Sequence, residues 1–323
     1  MFSPLRRLAI RQNRLYSSAV SLTPANIQAL DEYIAAPKNL LLQDTFNVER
    51  VSDLLITLPT RDGSRRPYET PAIGDPVGHG WHLGFFHART PESLLSPDGT
   101  DGALEFGPPE PFVRRMWASG RISWNAKRPL LVGKTATSSS TFGSVEKKGF
   151  DTDSPMVFVT QRINVTMMGE EQPSITEERS HVYMGDSVSP SPIPRVVKGI
   201  PTHADFTFKF TPSLITLFRF SALMFNAHLI HLDKDWTQSR RGYPERLVHG
   251  PLTALMLLEA AKFHHPTAQF ASFEYRARNP VVVDTPMTFK GVWVDKQTVT
   301  VWCEDDTGVV GMTGKISLQK GLE

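Results

Sequence analysis

The chain has 323 residues, 40% hydrophobic and 21% charged, enough for one large or two ordinary globular domains and too much for a disordered tail or a small stapled scaffold. Lys and Arg number 35 against 33 acidic residues, a net +2, so no single-sign field points to nucleic acid or an anionic membrane, and a small molecule is the expected partner. The single cysteine, Cys303, excludes an internal disulfide and a cysteine metal cage, and no apolar run reaches the ~18 to 20 residues that span a bilayer.

Residues 1–30 contain Arg6, Arg7, Arg11 and Arg14, and the first acidic residue is Asp31. With Phe2, Leu5, Leu8, Ile10 and Leu15 available for an amphipathic helix, residues 1–16 read as a mitochondrial transit peptide and the expected location is the matrix. Losing those four arginines moves the side-chain balance from +2 to −2.

A short helix is predicted from Thr23-Pro24, with Ile27, Leu30, Tyr33 and Ile34 at helical spacing, and a second over residues 47–58. Residues 60–80 and 90–111 are rich in Gly, Pro and charge and read as loops. Long β-type runs follow at 121–125, 130–145, 156–167 and 175–184; Val157, Val159, Ile163 and Val165 alternate with period two, with Gln161 as a polar member of the inward set. Residues 186–203 contain Pro190, Pro192, Pro194 and Pro201, which cannot continue a central strand. The expected units are therefore residues 17–186, a Pro-rich linker at 187–204, and residues 205–323.

The second half repeats the β-rich pattern around a clearer helix. Residues 205–210 alternate as a strand, and residues 251–264 are nearly all apolar, with Pro251 suited to the helix start and Pro266 just past its end. A helix apolar on all sides is buried on all sides. Strands are predicted at 269–278, 287–294, 298–304 and 309–318, with Cys303 packed in the core. One buried helix with about five antiparallel strands suggests a curved sheet wrapped around it, the hot-dog arrangement. The whole chain then reads as α+β, a double hot-dog with a degenerate N-terminal half, although no residue-level repeat links the halves.

Candidate chemistry concentrates in residues 218–253, which hold Asn226, His228 and His231, then Tyr243, then His249-Gly250-Pro251 at the buried helix. A glycine at a helix start leaves unpaired N–H groups and the positive dipole end open to a carbonyl oxygen, as an enolate-like oxyanion requires. His231 has an ordinary pKa near ~6.5 and moves a proton at working pH. A base plus an oxyanion donor is the minimum for removing a proton α to a carbonyl and expelling a β-hydroxyl.

His231-Leu232-Asp233 preceded by Ile230, together with His249-Gly250, resembles the MaoC-like, R-specific enoyl-thioester hydratase family. That family's motif runs Ser/Thr-Gly-Asp-x-Asn-Pro-aliphatic-His-x-Asp before a helix beginning His-Gly. His231 takes the place of the family's catalytic histidine, Asn226 falls where the family has its catalytic Asp, and His228 where it has Asn. Asn226 can orient water or His231 but cannot accept a proton. Residues 221–233 and 111–121 look like the two-domain branch, which includes type 2 hydroxyacyl-thioester dehydratases and mesaconyl-CoA hydratase-like proteins. The resemblance implies dehydration of 3-hydroxyacyl thioesters, or the reverse hydration, with no metal or redox cofactor and with the acyl group on acyl carrier protein or CoA. His231, Asn226 and Gly250 are the expected catalytic residues, and His228, Tyr243 and His249 line the substrate. Monomer and homodimer are both compatible.

Other features carry less. His264-His265 lacks a third ligand at metal spacing, and residues 138–140 lack a nucleophile elbow. No P-loop and no helix-opening G-x-G-x-x-G occurs. Arg114, Arg115 and Arg121 suit either phosphate contacts or strand pairing. A branched dicarboxyl-CoA substrate would need a cation in the acyl pocket, with Arg219, Arg276 and Arg278 as candidates. From a different class, a hot-dog scaffold that binds thioesters without turnover fits the replacement of Asp by Asn226.

Overall fold

A computed structural model describes residues 22–61, 68–101, 106–186 and 193–319. The expected transit segment and residues 187–192 of the expected linker lie outside these. Helix α1 (Pro24–Ala35) opens with a Thr23/Asn26 capping box, and α2 (Val48–Thr57) is capped by the Asn47 side chain. Strand β1 (Asn39–Thr45), which the sequence reading did not anticipate, lies between them.

Strands β2 (Arg114–Trp124), β3 (Thr135–Lys148), β4 (Met156–Met167) and β5 (Ile175–Met184) complete the first half. The second half runs β6 (Phe206–Phe210), α3 (Leu214–Leu223), α4 (Leu229–Leu232), α5 (Lys234–Arg241), α6 (Gly250–His264), β7 (Phe270–Ala277), β8 (Met287–Asp295), β9 (Thr298–Asp305) and β10 (Val310–Leu318). Strands β4 and β5 match the expected spans. Strand β2 starts at Arg114 rather than 121, because Arg114 to Trp117 pair with Met184 to His181 although their sequence shows no clean alternation.

The ten strands of the described residues form one sheet in the order β1-β3-β4-β5-β2-β7-β10-β9-β8-β6. Read from either end, each half has the same arrangement, first-third-fourth-fifth-second. The halves join where β2 and β7 pair antiparallel through Ser119↔Arg276 to Ser123↔Ser272. Antiparallel pairing is itself a local two-fold, and a repeat that sequence reading missed follows from it. Trp117-Ala118-Ser119 and Phe270-Ala271-Ser272 each carry a bulge at the alanine. A His-Gly pair opens a helix against each bulge: a Cβ on Gly250 would meet Trp117, and the His79 ring lies 4.8 Å from Phe270.

Helix α6 is buried along nearly its whole length, from Pro251 to Ala261, and packs against β6, β8, β9 and β10. Each of its fully buried leucines (252, 255, 257 and 258) contributes about 1.5–3 kcal/mol relative to exposure. Its counterpart in the first half is only the one-turn 3-10 helix Trp81–Gly84, assisted by the amphipathic α2, whose Val51, Leu54 and Leu55 face inward. Cys303 is fully buried, and burial raises its thiol to about 12, which keeps it a protonated packing group.

Glu259 is the one buried carboxylate of α6, and the first half satisfies it. Its oxygens accept from Thr60 Oγ1 (3.0 Å) and Trp81 Nε1 (2.9 Å), and Arg61 lies 3.4 Å away. Removing the carboxylate leaves a cation and two donors unpaired. Glu259→Ala is therefore expected to cost about 3 kcal/mol, with Glu259→Gln intermediate, measured as the shift in urea unfolding midpoint.

Candidate active site

The expected site residues converge. Asn226, His228, His231, Tyr243, His249 and Gly250 all line one cleft of about 2220 Å³ that both halves wall. The histidine loop runs from the end of α3 through α4. Phe225, in the left-handed region (φ 49), turns the chain out of α3, a conformation that costs a bulky residue about 1–3 kcal/mol and is found where surroundings hold it.

Asn226 then shapes the turn: its N–H donates to Ser221 O (2.9 Å) and its Oδ1 accepts from the His228 N–H (3.0 Å). The suggestion that Asn226 orients His231 needs correction. That position is held by the Leu247 carbonyl, 2.7 Å from His231 Nδ1. A carbonyl only accepts, so Nδ1 carries the proton and Nε2 keeps the lone pair. Burial, with Arg115 adding to it against the favourable Leu247 bond, lowers His231 to about 4. The ring is therefore a neutral base at neutral pH.

His249 lies stacked on His231, ring centroids 3.7 Å apart and 20° between planes, and its Nε2 is 2.9 Å from Ser221 Oγ. Burial, then the neighbouring His231 and His228, push its pKa well below the usual range. As N-cap of α6 it offers no side-chain cap, so the Gly250 N–H at the first helical position has no intrahelical acceptor. A Cβ on Gly250 would fall 2.8 Å from Trp117 Cβ and Cγ, so the helix N-terminus meets β2 only because this residue is glycine. Tyr243 is buried, with Arg114 donating to its hydroxyl at 3.0 Å.

The first half supplies groups that sequence reading did not place. Ser96 to Asp101 seat on the histidine loop: Leu229 N–H donates to Asp98 O (2.9 Å), and Asp98 Oδ2 lies 3.6 Å from His228 Nε2. Deeper in the sheet, Glu177 takes a bidentate contact from Arg179 (2.6 and 2.9 Å) and faces His82 at 3.1 Å. Burial opposes the Glu177 charge, but Arg179 and His82 hold it at about 2. The Arg179 guanidinium lies 4.8 Å over the Trp117 ring, which stacks on Tyr275. The signal was the shared parity of Glu177, Arg179 and His181 in β5, which puts these polar residues on the same face as the buried Ile175 and Tyr183.

The remaining candidates have structural roles. His264 bonds Thr207 O, His265 accepts from Trp293, and Arg121 pairs with Glu274 at the sheet surface. No cluster of metal-ligating side chains and no helix long and apolar enough to cross a membrane occurs among the described residues.

Comparison with solved structures shows the fold. A MaoC-like dehydratase from Phytophthora capsici superposes with TM-score 0.64 over 90% of this chain and 99% of its own, at 14% identity. Peroxisomal multifunctional enzyme type 2 from Drosophila melanogaster reaches 0.61 over 87% of this chain and 48% of its own, also at 14% identity. The protein thus has the hot-dog fold seen in the MaoC-like dehydratase.

Residues 80–283 match the family model for hydroxyacyl-thioester dehydratase type 2, and the chain belongs to that family. It is 36% identical to mesaconyl-C(4)-CoA hydratase of Chloroflexus aurantiacus over 67% of this chain and 74% of that protein. It is 29% identical to the mitochondrial hydroxyacyl-thioester dehydratase type 2 of Schizosaccharomyces pombe over 68% of this chain and 80% of that protein. The activity is that of a hydro-lyase on acyl thioesters.

Two outcomes follow from this packing. Gly250→Ala forces β2 or α6 to move and is expected to cost about 1–3 kcal/mol of stability and most of kcat/KM, checked by thermal unfolding and steady-state kinetics. Burial also lowers His79 to about 4 and His87 to about 3, as it does His231 to about 4, from an ordinary 6.5. Below pH 6.5 the unfolded chain binds these protons and the folded one does not. Stability should be fully present above about pH 6.5 and fall steadily toward pH 4, read as Tm across that range.

Proposed function

We propose that the protein interconverts 3-hydroxyacyl and trans-2-enoyl thioesters in the mitochondrial matrix, on acyl carrier protein or CoA, in fatty-acid synthesis. The observation that carries this reading is the Leu247 contact, which fixes His231 with its Nε2 lone pair free beside the uncapped α6 N-terminus. In dehydration, His231 Nε2 takes the α proton while the Gly250 N–H holds the thioester oxygen as charge builds on it. The electron pair of the broken C–H bond forms the double bond, the C–O bond at the β carbon breaks, and the imidazolium returns its proton to the departing hydroxyl. Because β2 and β7 join both halves within one chain, a monomer is sufficient for the reading.

The Arg-rich start and the S. pombe relative support the location, and both relatives act on thioesters. Residues 17–186 and 205–323 are the units proposed, each carrying five of the ten strands.

A second reading is hydration of a branched dicarboxyl-CoA, as the C. aurantiacus relative's name implies for that protein. It is favoured by cations at the cleft. Of the three arginines first considered, Arg219 is exposed on α3 outside the cleft lining, whereas Arg276 and Arg278 both line the cleft. Arg115 lines the cleft, faces Tyr183 across β2 and β5, and its charge reaches both His228 and His231.

His231→Ala should lower turnover of the preferred enoyl thioester by ~10² to 10⁴, the loss expected for a general acid/base. Near-normal turnover in that variant rejects the assignment. The panel of crotonyl, longer trans-2-enoyl and mesaconyl thioesters, each on CoA and on acyl carrier protein, separates the two readings. Under the second, mesaconyl alone turns over, and Arg115→Leu raises its KM.

A further inference from the structure

The side chain at Asn226 is an amide whose Oδ1 accepts from the His228 N–H, so it adds no carboxylate to the histidines. A carboxylate reaches them from the other half of the molecule. Asp98 Oδ2 lies 3.6 Å from His228 Nε2, and the loop that carries it is seated tightly. Asp98 Oδ1 accepts from the Thr100 N–H (3.1 Å) and Oγ1 (2.6 Å), and its backbone carbonyl accepts from Leu229. The next residue, Gly99, has φ +79, and a Cβ there would fall 2.2 Å from Ala227 O. Only glycine lets this loop approach the histidine loop so closely.

The groups around His228 decide what the carboxylate can do. His231 from α4 meets it edge-on at 5.6 Å between centroids, and Trp236 from α5 does so at 5.9 Å. Arg115 of β2 and Arg241 of α5 add positive charge, and Arg241 also lies 3.8 Å from Asp98 and bonds Asp186. Burial, then His231 and the two arginines, hold His228 well below the ordinary histidine range, so the ring is neutral. A neutral imidazole facing a carboxylate puts its single proton on the facing nitrogen, here Nε2, and leaves the lone pair on Nδ1. His228 Nε2 is buried and makes no hydrogen bond in this structure, with the Asp98 carboxylate at 3.6 Å facing it, and the ring lines the cleft.

We propose that Asp98, acting through His228, is the positioning carboxylate of the site: it fixes His228 as the Nε2–H tautomer, so that Nδ1 holds the water that adds to, or leaves from, the β carbon. This rests on the reading of His231 as the base. In hydration the water oxygen bonds the β carbon, and His231 Nε2 takes one water proton. The C=C pair shifts to the thioester oxygen, and the same proton then passes to the α carbon. The second water hydrogen stays with the product hydroxyl, bonded throughout to His228 Nδ1. Asp98 thereby stands in, from a distant segment, for the acid that Asn226 replaces.

The test is Asp98→Asn in the full chain, read by kinetics on crotonyl-CoA or mesaconyl-CoA, whichever turns over, and by ¹⁵N-histidine NMR with His228 assigned through His228→Gln. An asparagine amide can offer an N–H to Nε2 and invert the tautomer. The expected result is an Nε2–H pattern for His228 in the unmodified protein, lost in Asp98→Asn, with kcat down about 10² and KM within about threefold. Asp98→Glu should keep the Nε2–H pattern and part of the activity, and it serves if the Asn variant does not fold. An Nδ1–H pattern in the unmodified protein overturns the proposal, as does an Asp98→Asn variant with unchanged kcat. A loss of kcat with the His228 tautomer intact reduces Asp98 to a loop anchor and also overturns it. His231→Ala is measured beside these: near-normal activity there removes the underlying base, whereas inactivity there with an active Asp98→Asn removes only the proposal.

Discussion

The antiparallel pairing of β2 with β7 is the contact on which the rest depends. It turns two five-stranded arrangements into one sheet and fixes how the second half's buried helix meets the first half. The bulge after Trp117 sits at that junction, and Trp117 is the residue against which Gly250 closes. On the inward parity of the same strand, Arg115 brings its charge to the histidine loop and Gly120 leaves space for the Tyr275 hydroxyl, 2.3 Å from where a Cβ would stand. A slip of one residue in this register would turn every one of these groups to the other face. The site is thus a product of strand register as much as of the loop that carries the histidines.

The two halves have diverged in what lies on the sheet. The second keeps a fifteen-residue buried helix, whereas the first has only the 3-10 turn Trp81–Gly84 in the equivalent place and fills the space with α2, Trp81 and long loops. The shortened helix leaves room for the loop around Asp98 to cross over and dock on the histidines. It also leaves a polar interior around Glu177, Arg179 and His82, satisfied by its own ion pairs. Helix α6 compensates for the missing partner by presenting Glu259 to Thr60, Arg61 and Trp81, so the halves are joined by charge as well as by backbone hydrogen bonds.

Much of this was readable from residues in order. Helix α6 was legible because its composition leaves no polar face, and β4 because its valines alternate without interruption except at Gln161. His231 and Gly250 were legible through a motif that spaces them before and at a helix start. The holder of His231 was not, because Leu247 acts through its carbonyl, a group every residue possesses. Asp98 was not, since it belongs to a loop whose glycines and prolines announce only irregularity and lies far from His228 in sequence. The internal repeat was missed because it has shrunk to Trp-Ala-Ser against Phe-Ala-Ser and His-Gly against His-Gly, too little to detect without the sheet that aligns them.

The face-to-face stack of His231 on His249 has a consequence for reversibility. Two imidazolium rings 3.7 Å apart in a buried site would repel strongly, so under the role proposed for His231 the pair has capacity for one transient proton and holds none between turnovers. An enzyme that ends each cycle with an empty acceptor needs no separate step to reset itself. Forward and backward reactions then begin from the same protonation state, and the direction of net flux follows the ratio of hydroxyacyl to enoyl thioester relative to its equilibrium value.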